Sequence, residues 1–212
     1  MANKKYINTP RGYLSQSQIE MWESDPKRYK EIYFNARPEF QIQNKEMSYG
    51  SKFADSLEHD KETGDVLLDT AGFLLKKYEV RDKEMTAEMK TKNGWVKLLG
   101  KPDTFNPVNS AFREYKTGKT KWTQKKADNH FQLKYYATII YLNTKMIPAD
   151  VQLDWVETHD TSEGVQPTGR IESFPVKITL GDILKTMART KRVAEEIERA
   201  WAMHITKPIK PF

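Results

Sequence analysis

The spacing of hydrophobic residues changes several times along this chain, and the order of these changes limits the folds open to it. Apolar residues first recur at helical intervals, then alternate with the period of two that is typical of β-strands, and both patterns return later. A chain that passes from helices to strands, to a helix, to strands and to a helix favours a mixed α/β fold. The segments predict helices at 15–22, 25–34, 47–59, 65–75, 128–142 and 179–203, and strands at 84–89, 95–102, 111–116, 151–156 and 170–178.

Local signals mark the ends of several of these segments. Ser15 is followed three residues later by Gln18, which is a capping-box pattern, and Thr179 has Asp182 in the corresponding position. The turn sequence at 92–94, Lys-Asn-Gly, predicts a hairpin, and the three strands between 84 and 116 are expected to form an antiparallel meander. No linker interrupts the chain, so we expect one domain. Its parts are a loose arm at 1–12, a helical segment at 13–46, the core, and a C-terminal helix and extended tail at 179–212.

Composition excludes several classes of function. The 212 residues include no cysteine, so disulfides, zinc knuckles, iron–sulfur clusters and thiol nucleophiles are all excluded. The net charge of +6 suits a polyanionic partner. No apolar run is long enough to span a membrane, and the N-terminus lacks the apolar part of a secretion signal. We therefore expect a soluble, cytoplasmic protein without a membrane partner.

Two carboxylates and a lysine form the pattern with the clearest chemical meaning. Asp103 ends one predicted strand, and Glu114 and Lys116 lie on the next. Side chains two residues apart share a face of a sheet, and Asp103 can approach that face across the hairpin. Two converging carboxylates suit Mg²⁺ or Mn²⁺, and a neighbouring lysine can act on a water or on phosphate charge. The alternative is a turn aspartate beside a solvated surface ion pair.

Two further features adjoin this pattern. The helix after the Glu-x-Lys strand carries Gln132 and Tyr136 one turn apart. The segment from 116 to 126 contains five lysines and Trp122 but no acid, so it can contact phosphates and stack a base; a mobile solvated loop is the alternative. The candidate DNA-binding residues are Lys119, Lys121, Trp122, Lys125, Lys126 and Tyr136.

These motifs, in this order, resemble the PD-(D/E)XK nuclease superfamily. Gly-Lys-Pro-Asp at 100–103, Glu-Tyr-Lys-Thr-Gly-Lys at 114–119 and Gln-x-x-x-Tyr at 132–136 carry the resemblance. The segments Leu-Ser-Gln-Ser at 14–17 and Asp-Pro-Lys-Arg-Tyr at 25–29 resemble the openings of its RecB-like and Cas4-like phage exonuclease branch. The resemblance implies a restriction-endonuclease-like core, a mixed central sheet flanked by helices. Several relatives carry an iron–sulfur cysteine at the position of Asp25, so this chain is expected to lack the cluster.

The resemblance also implies roles for individual residues. Asp103, Glu114 and the backbone carbonyl of Tyr115 would bind Mg²⁺ or Mn²⁺, Lys116 would act on the attacking water, and Gln132 with Tyr136 would hold the DNA backbone. The family often has a metal-binding histidine four residues after the glycine of its first motif. That position is Ala54 here, so Glu58 is the expected substitute and the adjacent His59 is the alternative.

The implied activity is metal-dependent hydrolysis of DNA that leaves a 5′-phosphate, most simply by an exonuclease of phage recombination, replication or repair. Possible protein partners are a single-strand annealing protein or a helicase. Two alternatives remain open: a structure-selective endonuclease on the same core, and a non-catalytic DNA-binding subunit that keeps the fold. The intact Asp103, Glu114 and Lys116 argue against the second.

Overall fold

A computed structural model gives the architecture of the chain. It describes residues 4–41, 45–59, 62–75, 78–81, 83–162 and 164–206; at 45–47 and 57–59 only the backbone is described. The tail expected after residue 206 lies outside this range. The fold is mixed α/β, with two β-sheets and helices on their faces.

The helices follow the expected order along the chain. The π-helix Lys30–Phe34 continues directly from α2, and the 3₁₀ turn Pro38–Phe40 follows it. The α-helices are α1 (Gln16–Ser24), α2 (Pro26–Tyr29), α3 (Lys45–His59), α4 (Val66–Leu74), α5 (Gln124–Asp128), α6 (Phe131–Thr144) and α7 (Leu180–Ile205). Among the described residues, no helix has both the length and the apolar composition that a membrane crossing requires.

The strands divide between two sheets. A three-stranded sheet has the order β1-β4-β3, and a five-stranded sheet has the order β2-β5-β6-β7-β8. In the larger sheet β6 is antiparallel to β5 and parallel to β7, so this sheet is mixed. The strands are β1 (Leu14–Ser15), β2 (Val80–Arg81), β3 (Met85–Lys90), β4 (Trp95–Gly100), β5 (Thr104–Asn106), β6 (Ala111–Gly118), β7 (Val151–Thr161) and β8 (Gly164–Pro175).

Hydrophobic cores cover both faces of the five-stranded sheet. The larger core contains Phe112 of β6 together with residues of α1, α6, α7 and the smaller sheet. The smaller core joins Tyr115 of β6 to Phe53 of α3 and Leu68 of α4. Successive residues of β6 point to opposite faces, so this strand is buried on both sides, as a central strand requires.

The predicted helix caps are confirmed. Ser15 accepts a hydrogen bond from the backbone N–H of Gln18, and Asp25 and Asp65 cap α2 and α4 in the same manner. At the last helix, Thr179 and Asp182 form both bonds of a capping box. These interactions join residues two or three positions apart, which is why the sequence predicts them.

Two predictions about organisation are wrong. The segment 4–9 is not a loose arm: Ile7 is buried, its N–H donates to the Trp95 carbonyl at 2.8 Å, and Tyr6 forms a bridge with the same strand. The strands β3, β4 and β6 do not form one meander either. β3 and β4 form a hairpin in the smaller sheet, and β6 pairs with the short strand β5 in the other. The chain changes sheets at Pro102, which has no N–H to continue the ladder.

Candidate active site

Strand β6 positions the candidate residues by simple alternation. Glu114 and Lys116 share one face with Phe112, whose ring lies 6.1 Å from that of Tyr136 on α6. Tyr115 points to the opposite face, into the smaller core. The two side chains that the sequence places on one face therefore do share it, and α6 covers that face.

Asp103 joins this site through the backbone of β6. It lies between β4 and β5, and its Oδ2 accepts a hydrogen bond of 2.6 Å from the N–H of Tyr115. Strand β5 pairs with β6 only as far as Arg113, so beyond that residue Asp103 occupies the edge that β5 leaves open. The N–H and C=O of one strand residue point to the same edge, so the Tyr115 carbonyl faces the side on which Asp103 lies.

Glu114 and Lys116 form a buried, asymmetric ion pair. Lys116 Nζ donates to Glu114 Oε1 at 2.6 Å, and the side chains are 28% and 4% exposed, respectively. The second carboxylate oxygen of Glu114, Oε2, is buried and has no hydrogen-bond partner among the described residues. A buried carboxylate oxygen without a partner costs free energy, so its position suits a water, a ligand or an ion.

Burial and the neighbouring charges shift the pKa of both Glu114 and Lys116. Burial raises the pKa of the Glu114 carboxyl, although Lys116 opposes the shift, so one ammonium does not fully offset the loss of solvent. Burial alone would lower the pKa of Lys116, but Glu114 and Asp103 outweigh it and raise the pKa above its usual value. Lys116 is therefore an ammonium, and a further cation near Glu114 would be stabilising.

Gln132 and Tyr136 hold Lys116 from the α6 side. The amide oxygen of Gln132 accepts a 2.8 Å bond from Lys116 Nζ, and its Nε2 donates to the Tyr136 hydroxyl at 2.8 Å. Tyr136 is 6% exposed and packs against Gly100, where a Cβ atom would lie 2.8 Å from the Tyr136 ring. Burial raises the pKa of the Tyr136 hydroxyl, which stays neutral. We call Glu114, Lys116, Gln132 and Tyr136 the Lys116 cluster.

This geometry corrects one predicted role and refines another. Tyr136 was expected to contact DNA, but its ring is buried and its hydroxyl binds Gln132. The Gln132 amide uses both its oxygen and its nitrogen within the protein, so its position orients Lys116. His130 adds to this arrangement from the edge, with Nε2 at 3.3 Å from Gln132 Oε1; burial and then Lys116 lower its pKa to about 4.

The donor set fits a divalent cation in part. Asp103, the unpaired Oε2 of Glu114 and the Tyr115 carbonyl are oxygen ligands of the kind that Mg²⁺ and Mn²⁺ prefer. Within the described part of the chain, no three acidic or histidine side chains come together. The expected third carboxylate, Glu58, and its alternative, His59, lie on α3, but their side chains are outside the described residues.

The lysine-rich segment divides into two halves. Lys119 forms an ion pair with Asp160, and Lys121 pairs with Glu172 at 3.5 Å. Lys125 and Lys126 lie on α5 and are exposed. Trp122 between these halves is 7% exposed, because its ring packs edge-on against His130 and under the Lys126 ammonium. The prediction that Trp122 stacks a base is therefore wrong in this arrangement: Trp122 belongs to the core.

Two charged residues near the cluster have no signal in the sequence. Glu20 of α1 and Arg189 of α7 line a cavity with His130, beside Gln132. Burial raises the pKa of Glu20, with Arg189 and Lys116 opposing the shift, so Glu20 lies within electrostatic range of Lys116. Both residues belong to helices whose packing against α6 is a long-range contact, and no local pattern marks them.

A second buried ion pair lies on the opposite face of β6. Arg113 Nη1 donates to Asp154 Oδ2 at 2.7 Å, and the two side chains are 7% and 0% exposed. The other oxygen of Asp154 accepts from the Ser173 hydroxyl. Burial would lower the pKa of Arg113, but Asp154 raises it above the usual value. Both carboxylate oxygens of this pair are satisfied within the protein.

Comparison with known proteins shows the fold and no family. No protein-family description matches the chain, and no curated protein matches it in sequence. The crystal structure of SSO0001 superposes on the whole of this chain and on 82% of its own, with a TM-score of 0.50 and 14% sequence identity. At that identity the likeness concerns the mixed α/β architecture alone.

Proposed function

We propose that this chain is a Mg²⁺- or Mn²⁺-dependent DNA nuclease of the PD-(D/E)XK type, acting as an exonuclease. The observation that carries the proposal is the buried Glu114 carboxylate, which gives one oxygen to Lys116 and leaves the other unpaired, while Asp103 lies within electrostatic range of the same lysine. A carboxylate kept only for stability would have both oxygens satisfied. An unpaired carboxylate oxygen and a second carboxylate around one lysine are the kind of oxygen ligands that a divalent cation prefers.

Asp103, Glu114 and the Tyr115 carbonyl are the residues that would hold the cation. The bound ion would lower the pKa of a water and withdraw charge from the phosphodiester. Asp103 is fixed for this role by the Tyr115 N–H, and Glu114 by Lys116, so both carboxylates are oriented before any ligand binds. Oriented groups lose little freedom on binding, which strengthens the site.

Lys116 has the geometry to act on the water or on the phosphate. An ammonium has three N–H donors, and the described structure gives acceptors to two of them, Glu114 and Gln132. The side chain is 28% exposed, and the third donor has no acceptor among the described residues. Lys116 would hold the attacking water or stabilise the charge that develops on the phosphoryl oxygens. The water oxygen bonds to phosphorus while the P–O3′ bond breaks; the water releases a proton to solvent and the O3′ leaving group takes one up, so the products are a 3′-hydroxyl and the 5′-phosphate that the resemblance implies.

Gln132 and Tyr136 determine where that ammonium lies. Tyr136 fixes the Gln132 amide, and the amide oxygen then fixes Lys116 Nζ. The position of the reacting lysine therefore depends, through two successive hydrogen bonds, on the buried Tyr136 hydroxyl. A displacement of about 1 Å at such a group costs about a hundredfold in rate, because the reacting atoms must be aligned.

A cleavage assay with matched variants tests the proposal. Linear and circular DNA are incubated with the protein and Mg²⁺, Mn²⁺, Ca²⁺ or a chelator, and with Glu114→Gln or Lys116→Ala. We expect cleavage of linear DNA by the wild type in Mg²⁺ and Mn²⁺ alone, and none by either variant. Lys191→Gln, at an exposed lysine of α7 outside the Lys116 cluster, is the control and should stay active. Full hydrolysis in chelator would disprove the metal dependence.

The same assay separates the alternatives. Cutting of circular DNA would indicate an endonuclease. If the wild type binds linear DNA as tightly as both variants do but cleaves none of it, the chain is a non-catalytic DNA-binding subunit.

A further inference from the structure

A cavity of about 570 Å³ opens beside the Lys116 cluster. Three elements that are far apart in sequence form its walls: α1 supplies Glu20, the α5 region supplies Lys125, Lys126 and His130, and α7 supplies Arg189. His130 also lies 3.3 Å from the Gln132 amide oxygen. The cavity therefore shares a wall with the candidate active site. We call it the basic cavity.

The charge of the basic cavity favours an anion. Lys125, Lys126 and Arg189 contribute positive charge, Glu20 contributes the negative charge of one carboxylate, and the Glu23 carboxylate behind the wall pairs with Arg189. His130 is neutral at physiological pH, because its pKa is about 4. The walls thus carry a net positive charge in a concave site, where the field on a bound anion is stronger than on an open surface.

Two of the cations are held in place by aromatic rings. The Arg189 guanidinium carbon lies 3.6 Å from the centre of the Phe131 ring, and its Nε and Nη2 both donate to Glu23, with which it forms an ion pair. The Lys126 ammonium lies 4.0 Å from the Trp122 ring centre. Aromatic contact fixes a cation without using up its hydrogen-bond donors. Within the described part of the chain, Nη1 of Arg189 has no hydrogen bond, so it can donate to a ligand.

The lysines of the cavity differ from their neighbours in the same segment. Lys119 and Lys121 form ion pairs with Asp160 and Glu172. Neither Lys125 nor Lys126 has a carboxylate partner among the residues that the structure describes. Positive charge without a partner is therefore concentrated on the side of the segment that faces the basic cavity.

We propose that the basic cavity binds a phosphodiester of the DNA strand adjacent to the phosphate at Lys116, with Lys125, Lys126 and Arg189 as its ligands. The identity of the strand as DNA rests on the proposed function, whereas the site itself rests on the geometry of the cavity. Arg189 supplies a fixed planar donor group and the two lysines supply unpaired charge, a combination that suits phosphate oxygens. The proposal also assigns α7, otherwise a structural helix, to substrate binding.

Binding of labelled oligonucleotides in the absence of divalent metal tests the proposal without relying on cleavage. The dissociation constant is measured over a range of salt concentrations for the wild type, for Lys125→Gln/Lys126→Gln and for Arg189→Gln. The matched control is Lys27→Gln/Lys191→Gln, which removes two exposed lysines outside the cavity. Three forms of single-stranded DNA are used: linear with a 5′-phosphate, linear with a 5′-hydroxyl, and circular.

We expect the double cavity variant to lower the slope of log affinity against log salt by about 1.4, the value for two lost single-strand phosphate contacts. Arg189→Gln should lower it by about 0.7, and the control pair should leave it unchanged. The effect should be equal on all three DNA forms, since an internal phosphodiester is the ligand. An effect limited to the 5′-phosphorylated strand would assign the cavity to a terminal phosphate instead.

The outcomes separate this inference from the proposed function. If the protein cleaves DNA but the slope is unchanged in the cavity variants, the basic cavity does not bind phosphate and the proposed nuclease function still stands. If the slope is reduced but the protein cleaves no DNA, the basic cavity binds phosphate and the proposed nuclease function is wrong. An equal reduction in the control pair would show a nonspecific effect of net charge and would also overturn the cavity.

Discussion

Strand β6 carries two buried ion pairs on its two faces, and they differ in how completely the carboxylate of each pair is satisfied. On one face Asp154 gives one oxygen to Arg113 and the other to Ser173, and both partners of the ion pair are almost fully buried. On the other face Glu114 gives one oxygen to Lys116 and leaves the second without a partner, while Lys116 remains 28% exposed. We call the Asp154 pair closed and the Glu114 pair open according to whether both carboxylate oxygens have partners; in the closed pair the Arg113 Nε is itself buried without one among the described residues.

The difference shows how a functional ion pair is recognised when residue type is uninformative. Both pairs join an acid to a base within one sheet, and both have short contacts. Breaking a closed pair lowers the stability of the fold strongly, because removing one partner leaves the other as an unpaired buried charge. An open pair keeps an unsatisfied atom at a cost in stability, and such a cost is typical of sites that bind or react.

The largest expected effect comes from breaking the closed pair. Asp154→Ala should lower the free energy of unfolding by about 3 to 5 kcal/mol, because it leaves the Arg113 charge buried without its partner. Urea denaturation measures the change. Replacing both residues, as Arg113→Met/Asp154→Leu, should recover most of the loss. A loss below about 1 kcal/mol for Asp154→Ala would show that the pair does not contribute as a closed unit.

Removing the lysine of the open pair should act mainly on catalysis. Lys116→Ala should reduce the rate of DNA hydrolysis by about a hundredfold or more, since the ammonium acts on the water and the transition-state charge. DNA affinity in Ca²⁺ should fall only modestly, because the other lysines remain. Paired cleavage and binding curves measure both effects. A variant that loses affinity and rate in equal proportion would assign Lys116 to ground-state binding.

Stabilisation by Mg²⁺ should depend on the Glu114 carboxylate of the open pair. At a concentration of Mg²⁺ about ten times its dissociation constant, the wild type should gain about 1.4 kcal/mol in unfolding free energy. Glu114→Gln should lose this gain, and each protein serves as its own reference in chelator, because the substitution removes a buried carboxylate and also the counter-charge of Lys116. Glu172→Gln is the surface control and should retain the gain. Thermal unfolding with and without Mg²⁺ measures this gain in stability. If Glu114→Gln keeps the gain, Glu114 is not a ligand of the metal.

The smallest effect concerns His130 beside the open pair. Burial and the Lys116 ammonium lower its pKa to about 4, below the usual 6.5, so the unfolded chain binds the proton more readily. His130 therefore destabilises the fold as the pH falls from 6.5 towards 4, by about 1 kcal/mol after allowance for solvent near a partly exposed ring.

Replacing this histidine provides the test. In chelator, the unfolding free energy of His130→Gln should depend less on pH in that interval than the wild type's does. His159→Gln, at an exposed site, is the control. Parallel curves for the wild type and His130→Gln would show that the ring is protonated freely.

Local chemistry explains which parts of the fold could be predicted. The caps at Ser15, Asp25, Asp65 and Thr179 involve neighbours along the chain, and the predicted helices begin where these residues lie. The predicted meander was wrong because strand pairing is a long-range choice: the alternating pattern of β6 does not specify whether β4 or β5 becomes its neighbour. The short β5, of three residues, was too brief for a pattern to show.

The candidate site also has features that the sequence predicts and features that it does not. Glu114 and Lys116 share a face because any β-strand alternates, so the sequence alone places them together. The burial of Trp122 and Tyr136 could not be read from their residue types, since aromatic rings serve equally as core and as contact surface; the packing of α6 decided it.

The sequence by itself determined the order of the longer helices and strands, the exclusion of cysteine chemistry, and the position of Glu114 and Lys116 on one face of β6. Only the tertiary structure decided that Glu114 keeps an unpaired oxygen, that Asp103 reaches the Tyr115 N–H, and that Arg189 and Glu20 border the same cavity. The physical reason is range. Periodicity and capping act over a few residues of one chain segment, whereas burial and satisfied hydrogen bonds depend on segments that folding brings together from distant positions.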